Sequence, residues 1–241
     1  MLRRRLLLHG ARRHLAFGRP PPPPPPPPDP LPELVLGTVI AANLAVFGIW
    51  HDRRWQPWME RHFVLTLGGL MHERRWHTMV TNAFSQLQPG HLFANMLMLG
   101  MFGRELPRRL SVGGFAALYL SGSLCSSSAW LAEQNLAASR ATSYVERARI
   151  YGEGCVGASG AVAACVMGAC VLDPLRRIYL FFVIPMPAIV FAGAFVISDT
   201  LGLYKTSRPG RQRVAHSGHL GGALAGATVI GVLRFVFRVV R

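Results

Sequence analysis

Apolar residues occur in long runs along most of this chain, and shorter polar segments rich in arginine separate the runs. A run of about 17 to 20 apolar residues can cross the hydrocarbon core of a bilayer as an α-helix. We therefore predict six transmembrane helices, and hence an all-α membrane protein. The predicted spans are residues 34–50, 91–106, 113–132, 157–172, 178–197 and 215–233.

Two parts of the pattern differ from a simple spanning helix. Residues 51–88 combine basic side chains with aromatic ones, a mixture that favours the membrane–water interface. The aromatic side chains are Trp55, Trp58, Phe63, Trp76 and Phe84. The fifth span contains Pro185 and Pro187, so we expect it to be kinked or locally unwound.

The charge of the chain would suggest a nucleic-acid partner if the protein were soluble, because 26 basic and 11 acidic residues give a net charge of +15. However, 51% of the residues are hydrophobic, only 15% are charged, and the arginines flank the apolar runs. This distribution is typical of a multi-pass membrane protein, so we expect the lipid bilayer as a partner and no nucleic acid. Basic residues flank the runs on both sides, and the positive-inside rule therefore does not decide the orientation.

The four cysteines, Cys125, Cys155, Cys165 and Cys170, lie within or beside apolar runs. They show no spacing with histidines that is typical of a metal site. We interpret them as buried thiols rather than as disulfide partners or metal ligands.

The N-terminal residues 1–19 contain six arginines, several leucines and no acidic residue. This composition predicts an amphipathic mitochondrial presequence, with a basic arm on the membrane surface as the alternative. Residues 20–33 begin with an unbroken proline run that is expected to form a stiff polyproline II spacer, and we interpret them as a linker. Residues 34–241 then form one membrane domain.

Polar side chains inside predicted spans are costly and therefore mark candidate sites. In the second span, His91 and Asn95 are four residues apart and share one helix face. The sixth span begins with two histidines, His216 and His219. Taken singly, each of these side chains is equally consistent with an interhelical hydrogen bond or a solvated position at the interface.

The fourth span begins with Ser159, which lies between Gly157 and Gly160. If the helix begins near Gly157, the serine lies in its first turn, where unpaired backbone N–H groups can stabilise an oxyanion. The glycines alone are equally consistent with close packing, because Gly160, Ala164 and Gly168 form a stripe of small residues at helical spacing.

Together the three motifs resemble those of the rhomboid intramembrane serine proteases. The shared elements are His91-x-x-x-Asn95 on the second span, the sequence GASG around Ser159 on the fourth, and His219 followed by small residues on the sixth. The resemblance covers roughly residues 34–233 and implies a six-transmembrane-helix rhomboid core that hydrolyses peptide bonds.

The resemblance also implies roles for individual residues. Ser159 is the expected nucleophile and His219 the expected base, and Asn95, His91 and Gly157 are expected around the oxyanion. Supporting positions are His216, Gly160 and Gly222. Of the two histidines, we choose His219 as the base because it adjoins a stripe of glycines expected to press the sixth helix against the fourth.

We assign the nearest acids, Asp199 and Glu153, to loops, and therefore expect a Ser–His dyad without an aspartate. We expect Ser126, Ser127, Ser128, His216 and Asn95 to line a hydrated cavity. The expected substrates are transmembrane proteins, and no cofactor or metal is implied. The oligomeric state is left open.

Within the family, GASG and the two histidines resemble the mitochondrial, presenilin-associated rhomboid-like branch, which implies the mitochondrial inner membrane. That branch usually has an extra helix before the core, and we predict none in the residues ahead of Leu34. Two further departures are His77 after Trp76, where many rhomboids have arginine, and Ala163 in place of a tyrosine that often stacks on the base. The second departure raises the question of what orients His219.

Two other classes of function fit the sequence less well. A non-proteolytic rhomboid-fold protein that binds or extracts membrane helices typically lacks the serine or the histidine, and this chain has both. A small-solute transporter is expected to show repeat symmetry between its halves, which the sequence does not show.

Overall fold

A computed structural model of the chain describes residues 29–180, 183–205 and 215–236. The predicted presequence, residues 1–19, and the proline run, residues 20–28, lie outside the described residues. The helices are α1 Leu31–Trp50, α2 Gln56–Phe63, α3 Leu67–Met71, α4 Thr78–Thr81, α5 Pro89–Gly103, α6 Leu106–Arg140, α7 Tyr144–Gly152, α8 Ser159–Leu172, α9 Ala188–Lys205 and α10 His216–Gly231. A 3-10 turn, Asn82–Phe84, follows α4, and a π-helical turn, Val232–Val236, follows α10.

Four short strands form two antiparallel pairs. Strands β1 Leu65–Thr66 and β2 Gly154–Cys155 pair with each other, and β3 Arg177–Leu180 pairs with β4 Ile184–Pro187. The first pair joins the segment after α2 to the segment that leads into α8. It therefore helps to hold the backbone just before Ser159.

The centre of the fold is α8, which packs against α5, α6 and α10. Every residue from Gly160 to Cys170 is buried. A helix that is apolar on all sides is suited to the core of a protein, and the small residues of α8 let neighbouring helices pack closely around it. Leu99, Phe115, Leu118, Cys165 and Ile230 pack together in the core that surrounds it.

Glycines bring α8 and α10 into close backbone contact. A Cβ atom at Gly222 would overlap the carbonyl of Gly160, and one at Gly226 would overlap the carbonyl of Ala164. The stripe of small residues therefore fixes the distance between the two helices. This contact brings the start of α10 beside the start of α8.

By length and composition, three helices among the described residues are long and apolar enough to cross a membrane: Leu31–Trp50, Leu106–Arg140 and His216–Phe235. Two shorter apolar helices, Ser159–Leu172 and Ala188–Tyr204, accompany them. Helix α5 has 15 residues. The helical class is confirmed, whereas the predicted number of six spans does not follow from helix length.

The predicted fifth span is wrong in its first half. The paired strands β3 and β4 occupy residues 177–180 and 184–187, and helix α9 begins only at Ala188. Pro185 and Pro187 lack the N–H group that a helix interior requires, but proline is tolerated in an edge strand. The prolines therefore exclude the helix from this segment rather than kink it.

Other boundaries differ by smaller amounts. Helix α1 begins at Leu31, so the last residues of the predicted linker are helical; Asp29 accepts a hydrogen bond from the Leu31 amide at 3.0 Å. Helix α6 extends well beyond the predicted third span, and its backbone is interrupted at Ser111, where φ is 67°.

The aromatic segment 51–88 folds into short helices that pack onto the bundle. Trp50 donates a buried hydrogen bond to Ser85 at 2.7 Å. Trp55, Trp58 and Trp76 stay exposed. Exposed tryptophans are typical of an interfacial segment, and the interfacial location stays a prediction.

The cysteine prediction is confirmed only in part. All four thiols are free, and Cys165 and Cys170 are buried. Cys155 is partly exposed and Cys125 is exposed.

Candidate active site

Helix α8 begins at Ser159 itself, with Ala158 as the residue before it. Gly157 has φ +146°, a backbone conformation that residues with a Cβ rarely adopt. The sharp change of direction at Gly157 starts the helix at the serine. Ser159 therefore lies where the positive end of the helix dipole and the first backbone N–H groups are.

His219 lies in the first turn of α10 and faces the serine. Its Nε2 is 2.8 Å from Ser159 Oγ. The glycine contact between α8 and α10 produces this approach, because it places the first turns of both helices side by side. The structure thus brings together the two residues that the sequence assigned as nucleophile and base.

Asp199 completes a row of three polar side chains. Its Oδ1 is 3.1 Å from His219 Nδ1, and the side chain is buried. The assignment of Asp199 to a loop is wrong, because α9 extends to Lys205 and so includes this residue. The expectation that no aspartate is available to the histidine is therefore also wrong, whereas Glu153 does lie just outside α7.

The contacts of His219 determine which nitrogen carries its proton. A neutral imidazole has one N–H group, and a carboxylate can only accept. Nδ1 therefore donates to Asp199, which leaves the lone pair of Nε2 to accept the proton of Ser159. This is the tautomer that a general base requires.

His216 also contacts Asp199 rather than Ser159. Its Nδ1 is 2.5 Å from the same Oδ1 atom. A Cβ at Gly202 would overlap the imidazole of His216, so the absence of a side chain at Gly202 leaves room for this ring against α9. The two histidines thus share one carboxylate oxygen.

Helix α9 also explains how His219 is oriented without the tyrosine that Ala163 replaces. The ring of Phe195 lies 6.2 Å from the ring of His219 between centroids, and Asp199 lies one turn further along the same helix. The sequence carried a signal for this role, since an acid within an apolar run is a site candidate.

His91 lies beside Gly157. A Cβ at Gly157 would be 2.9 Å from Cε1 of His91 and 3.5 Å from Ser159 Oγ, so the imidazole and the hydroxyl both lie next to the space where a side chain would be. The N–H of Gly157 donates to the Asn82 carbonyl at 3.0 Å. A hydrogen bond to an oxyanion therefore has to come from other groups.

Asn95, one turn further into α5, has a different environment. Its amide nitrogen donates to Gln86 Oε1 at 2.9 Å, and Gln86 Nε2 donates to Asn43 Oδ1 at 3.0 Å. All three side chains are buried. Sequence reasoning missed Gln86 and Asn43. For Asn43 the available signal was an amide side chain inside the first predicted span.

A cavity of about 630 Å³ opens beside the serine. It is lined by Asn82, Ala83, Leu87, Gln88, His91, Ser123, Ser126, Trp130, Glu153, Gly154, Cys155, Val156, Gly157, Ser159, Ala161, Ala215 and His219. The mixture of hydroxyl, imidazole and carboxyl groups can hold water near Ser159.

Only one of the five residues predicted to line the cavity does so. Ser126 contributes to its wall, whereas the lining formed by the described residues does not include Ser127, Ser128, His216 or Asn95. Ser127 instead donates to the Met79 carbonyl at 2.8 Å. Ser123, which was not predicted, lies one turn before it and takes part in the wall.

Gly160 and Gly222 support the site through packing. A Cβ at Gly160 would overlap the side chain of Ser126, and Gly222 faces the Gly160 carbonyl. In the described part of the chain, Asp199, His216 and His219 form a group with metal-ligating atoms, which lie within 4.8 Å of one another.

Comparison with known proteins matches residues 73–235 to the Rhomboid domain. Over 205 residues the chain is 33% identical to RHOMBOID-like protein 12, mitochondrial, of Arabidopsis thaliana, a match that covers 81% of this chain and 56% of the relative. It is 29% identical over 195 residues to the human presenilin-associated rhomboid-like protein, mitochondrial, with 78% of this chain and 45% of the relative covered.

A third relative, Rhomboid-like protein 16, chloroplastic, of Arabidopsis thaliana, is 30% identical over 166 residues, with 67% of this chain and 50% of the relative covered. The chain thus spans about half the length of the curated relatives it matches.

Proposed function

The chain belongs to the rhomboid family, and from its candidate active site we propose that it is an intramembrane serine endopeptidase that cleaves transmembrane segments. The observation that carries the proposal is the contact of 2.8 Å between Ser159 Oγ and His219 Nε2, with Asp199 on the far side of the imidazole. A serine, a base and a group that orients the base are the parts that nucleophilic acyl transfer requires.

In the proposed reaction, Ser159 transfers its proton to His219 Nε2 as its oxygen attacks a peptide carbonyl. The resulting imidazolium donates from Nδ1 to the Asp199 carboxylate, whose negative charge stabilises it. His219 then gives the proton from Nε2 to the leaving amine. Water from the cavity hydrolyses the acyl-enzyme with His219 again as the base. Asp199 acts as a positioning residue, so the proposed unit has three members rather than two.

The developing oxyanion needs donors that are aimed at it. Ser159, the first residue of α8, and His91 both line the cavity, and the proposed donors are the first backbone N–H groups of α8 and the His91 imidazole. Asn95 joins them if its amide turns away from Gln86 when substrate binds. Gly157 contributes the backbone shape that keeps His91 and Ser159 close.

We propose that α1, α5, α6, α8, α9 and α10 are the six membrane-spanning helices of this domain. The shortest, α8 with 14 residues, lies inside the bundle, and α5 with 15 residues packs against it. Protein rather than lipid then surrounds α8. A transmembrane substrate helix hides its carbonyls in hydrogen bonds, so it has to unwind locally before Ser159 can attack.

We propose the mitochondrial inner membrane as the location. Two of the three relatives are named as mitochondrial proteins, and together with the arginine-rich residues 1–19 they support mitochondria, whereas the third relative is named chloroplastic. A reporter fused to residues 1–19 should enter mitochondria, as fluorescence microscopy would measure. Cytosolic or plastid fluorescence would contradict this location.

The central test uses a fluorophosphonate, which reacts with an activated serine. The full chain, purified and placed in liposomes, should be labelled and should cleave a single-span substrate. Ser159→Ala should lose both properties. Labelling that persists in Ser159→Ala, or cleavage near the wild-type rate, would contradict the proposal. A wild-type chain that is folded but neither labelled nor active would favour the non-proteolytic alternative.

A further inference from the structure

One carboxylate oxygen at the active site faces two imidazole nitrogens. Asp199 Oδ1 is 2.5 Å from His216 Nδ1 and 3.1 Å from His219 Nδ1, and the ligand atoms of the three side chains all lie within 4.8 Å of one another. We propose that these residues form a binding site for a divalent transition-metal ion such as Zn²⁺, and that the ion inhibits the protease. The inhibition rests on the proposed function, whereas the binding does not.

The chemistry of the ligands fits Zn²⁺. Zinc binds imidazole nitrogens and carboxylate oxygens at about 2.0 to 2.2 Å, and two ligands of a tetrahedral ion are therefore about 3.4 Å apart. The 3.1 Å between Asp199 Oδ1 and His219 Nδ1 is already close to that value, and the 2.5 Å to His216 Nδ1 would lengthen by about 0.9 Å when the ion replaces the hydrogen bond. Imidazole ligands also favour transition metals over Mg²⁺ or Ca²⁺, which prefer oxygen.

The position of the three residues limits their movement and still leaves them accessible to an ion. His216 and His219 lie three apart on α10 and Asp199 lies on α9, so two packed helices supply the ligands. The side chains of His216 and His219 are 20% and 18% exposed. This partial exposure gives a hydrated ion access to the two imidazoles.

Metal binding at Nδ1 would disable His219 through its tautomer. In the metal-free site, the single proton of the neutral imidazole is on Nδ1, and Nε2 accepts from Ser159. An ion on Nδ1 needs the lone pair of that nitrogen, so the proton moves to Nε2 and none is lost from the ring. Nε2 then presents an N–H to Ser159 and cannot take its proton.

A pair of glycines on α9 offers a matched test of the geometry. A Cβ at Gly202 would overlap the His216 imidazole, so Gly202→Ala should push this ligand away from Asp199. Gly193 lies on the same helix and a Cβ there would meet nothing within 4 Å. Gly193→Ala therefore makes the same chemical change without moving a ligand.

Binding is measured first, in full-length Ser159→Ala protein in detergent micelles, by calorimetric titration with Zn²⁺ and by the visible absorption of Co²⁺. We expect one equivalent of Zn²⁺ to bind and Co²⁺ to give a spectrum typical of low coordination number. Adding Asp199→Asn, His216→Gln or Gly202→Ala should weaken binding at least about tenfold, and Gly193→Ala should leave it unchanged.

Cys125, Cys155 and the other histidines can also bind zinc. The result is therefore the difference in zinc binding between the variants, not the amount that any one of them binds. Each variant is first checked for an unchanged helical circular-dichroism spectrum. If a ligand variant does not fold, the comparison of Gly202→Ala with Gly193→Ala decides. Equal zinc binding by the folded proteins would overturn the metal site.

The activity arm uses the wild-type chain in liposomes with a single-span substrate. Zn²⁺ should stop cleavage at the concentration that fills the site, a chelator should restore it, and Mg²⁺ should have no effect. Binding that leaves cleavage unchanged would overturn the inhibition. No cleavage in metal-free buffer would defeat the proposed protease function instead, and titration of Ser159→Ala would still decide the metal site.

Discussion

Two polar clusters flank Ser159, and they are prepared to different degrees. On the α9–α10 side, His219 is already within hydrogen-bonding distance of both the serine and Asp199. On the α5 side, His91 lies at the cavity, but Asn95 is bonded to Gln86 and stays out of the cavity. The base is thus in place without substrate, whereas part of the proposed oxyanion site is engaged in the bundle.

The difference suggests a division of labour between the two sides. The α9–α10 side is positioned by close helix contacts, because glycines bring α10 against α8 and leave little freedom. The α5 side is positioned by a chain of amides that can exchange partners, with Gln86 between Asn43 and Asn95. We expect the loss of His219 or of the Asp199 charge on the first side to slow the chemistry more than the loss of Asn95 on the second.

The largest effect is expected from the serine and the base. Ser159→Ala and His219→Ala should each lower kcat by at least about 10³-fold, and the double variant should be no slower, because the two residues act as one unit. Initial rates on a single-span substrate in liposomes would measure this. An active His219→Ala beside an inactive His216→Ala would reverse the assignment of the base.

Asp199→Asn tests whether the third residue positions the base. The amide is isosteric but uncharged, so it no longer selects the Nδ1–H tautomer or stabilises the imidazolium. Removal of the corresponding charge in serine proteases costs about 10⁴-fold in kcat, and we expect about 10² to 10⁴-fold here with little change in KM. A restored rate in Asp199→Glu, with a shifted pH profile, would support positioning. A wild-type rate in Asp199→Asn would mean that Ser159 and His219 act as a dyad without Asp199.

Asn95→Ala tests the α5 side, where the amide of Asn95 is bonded to Gln86 rather than directed into the cavity. If Asn95 turns toward the oxyanion, its loss should lower kcat by tens to hundreds of fold, or about 2 to 4 kcal/mol, with KM nearly unchanged. Gln86→Leu is the matched control, because Gln86 contacts Asn95 but does not line the cavity. Equal losses in both variants would mean that Asn95 acts through the buried amide chain alone.

Gly222→Ala should loosen the contact that the base side depends on. The added Cβ would overlap the Gly160 carbonyl, and overpacking of this kind costs about 1 to 3 kcal/mol in the free energy of unfolding. Gly231→Ala on the same helix is the control, since a Cβ there meets nothing within 4 Å. Unfolding in mixed micelles would compare the two variants. Equal stabilities would contradict the close contact.

His216→Ala should have the smallest effect on cleavage. His216 shares Asp199 with His219 but does not contact Ser159, so its removal leaves the hydrogen bond between His219 and Asp199 in place. We expect a loss in kcat of less than about tenfold, or about 1.4 kcal/mol, with an altered pH profile. Steady-state rates across a pH series would measure it. A loss as large as that of His219→Ala would mean that the two histidines act as one unit.

The sequence by itself determined the helical class and singled out Ser159 and His219 as a candidate pair. A membrane allows only helices or closed barrels to span it, so long apolar runs specify helices with little help from distant residues. The GASG motif and the glycines before and after His219 are local as well. The GASG motif starts α8 at Ser159, and the glycines around His219 set the contact of α10 with α8. The structure places Ser159 and His219 side by side, as these motifs indicated.

Only the tertiary structure decided the partners of these groups. The apolar pattern of residues 178–197 does not distinguish a strand from a helix, and the packing of α9 against α10 is what brings Asp199 to the histidines. The partner of Asn95 likewise depends on how α1 and the segment after α4 pack against α5. Hydrogen bonds between elements far apart in the chain follow from packing, because the local pattern limits which side chains are polar but not which of them meet.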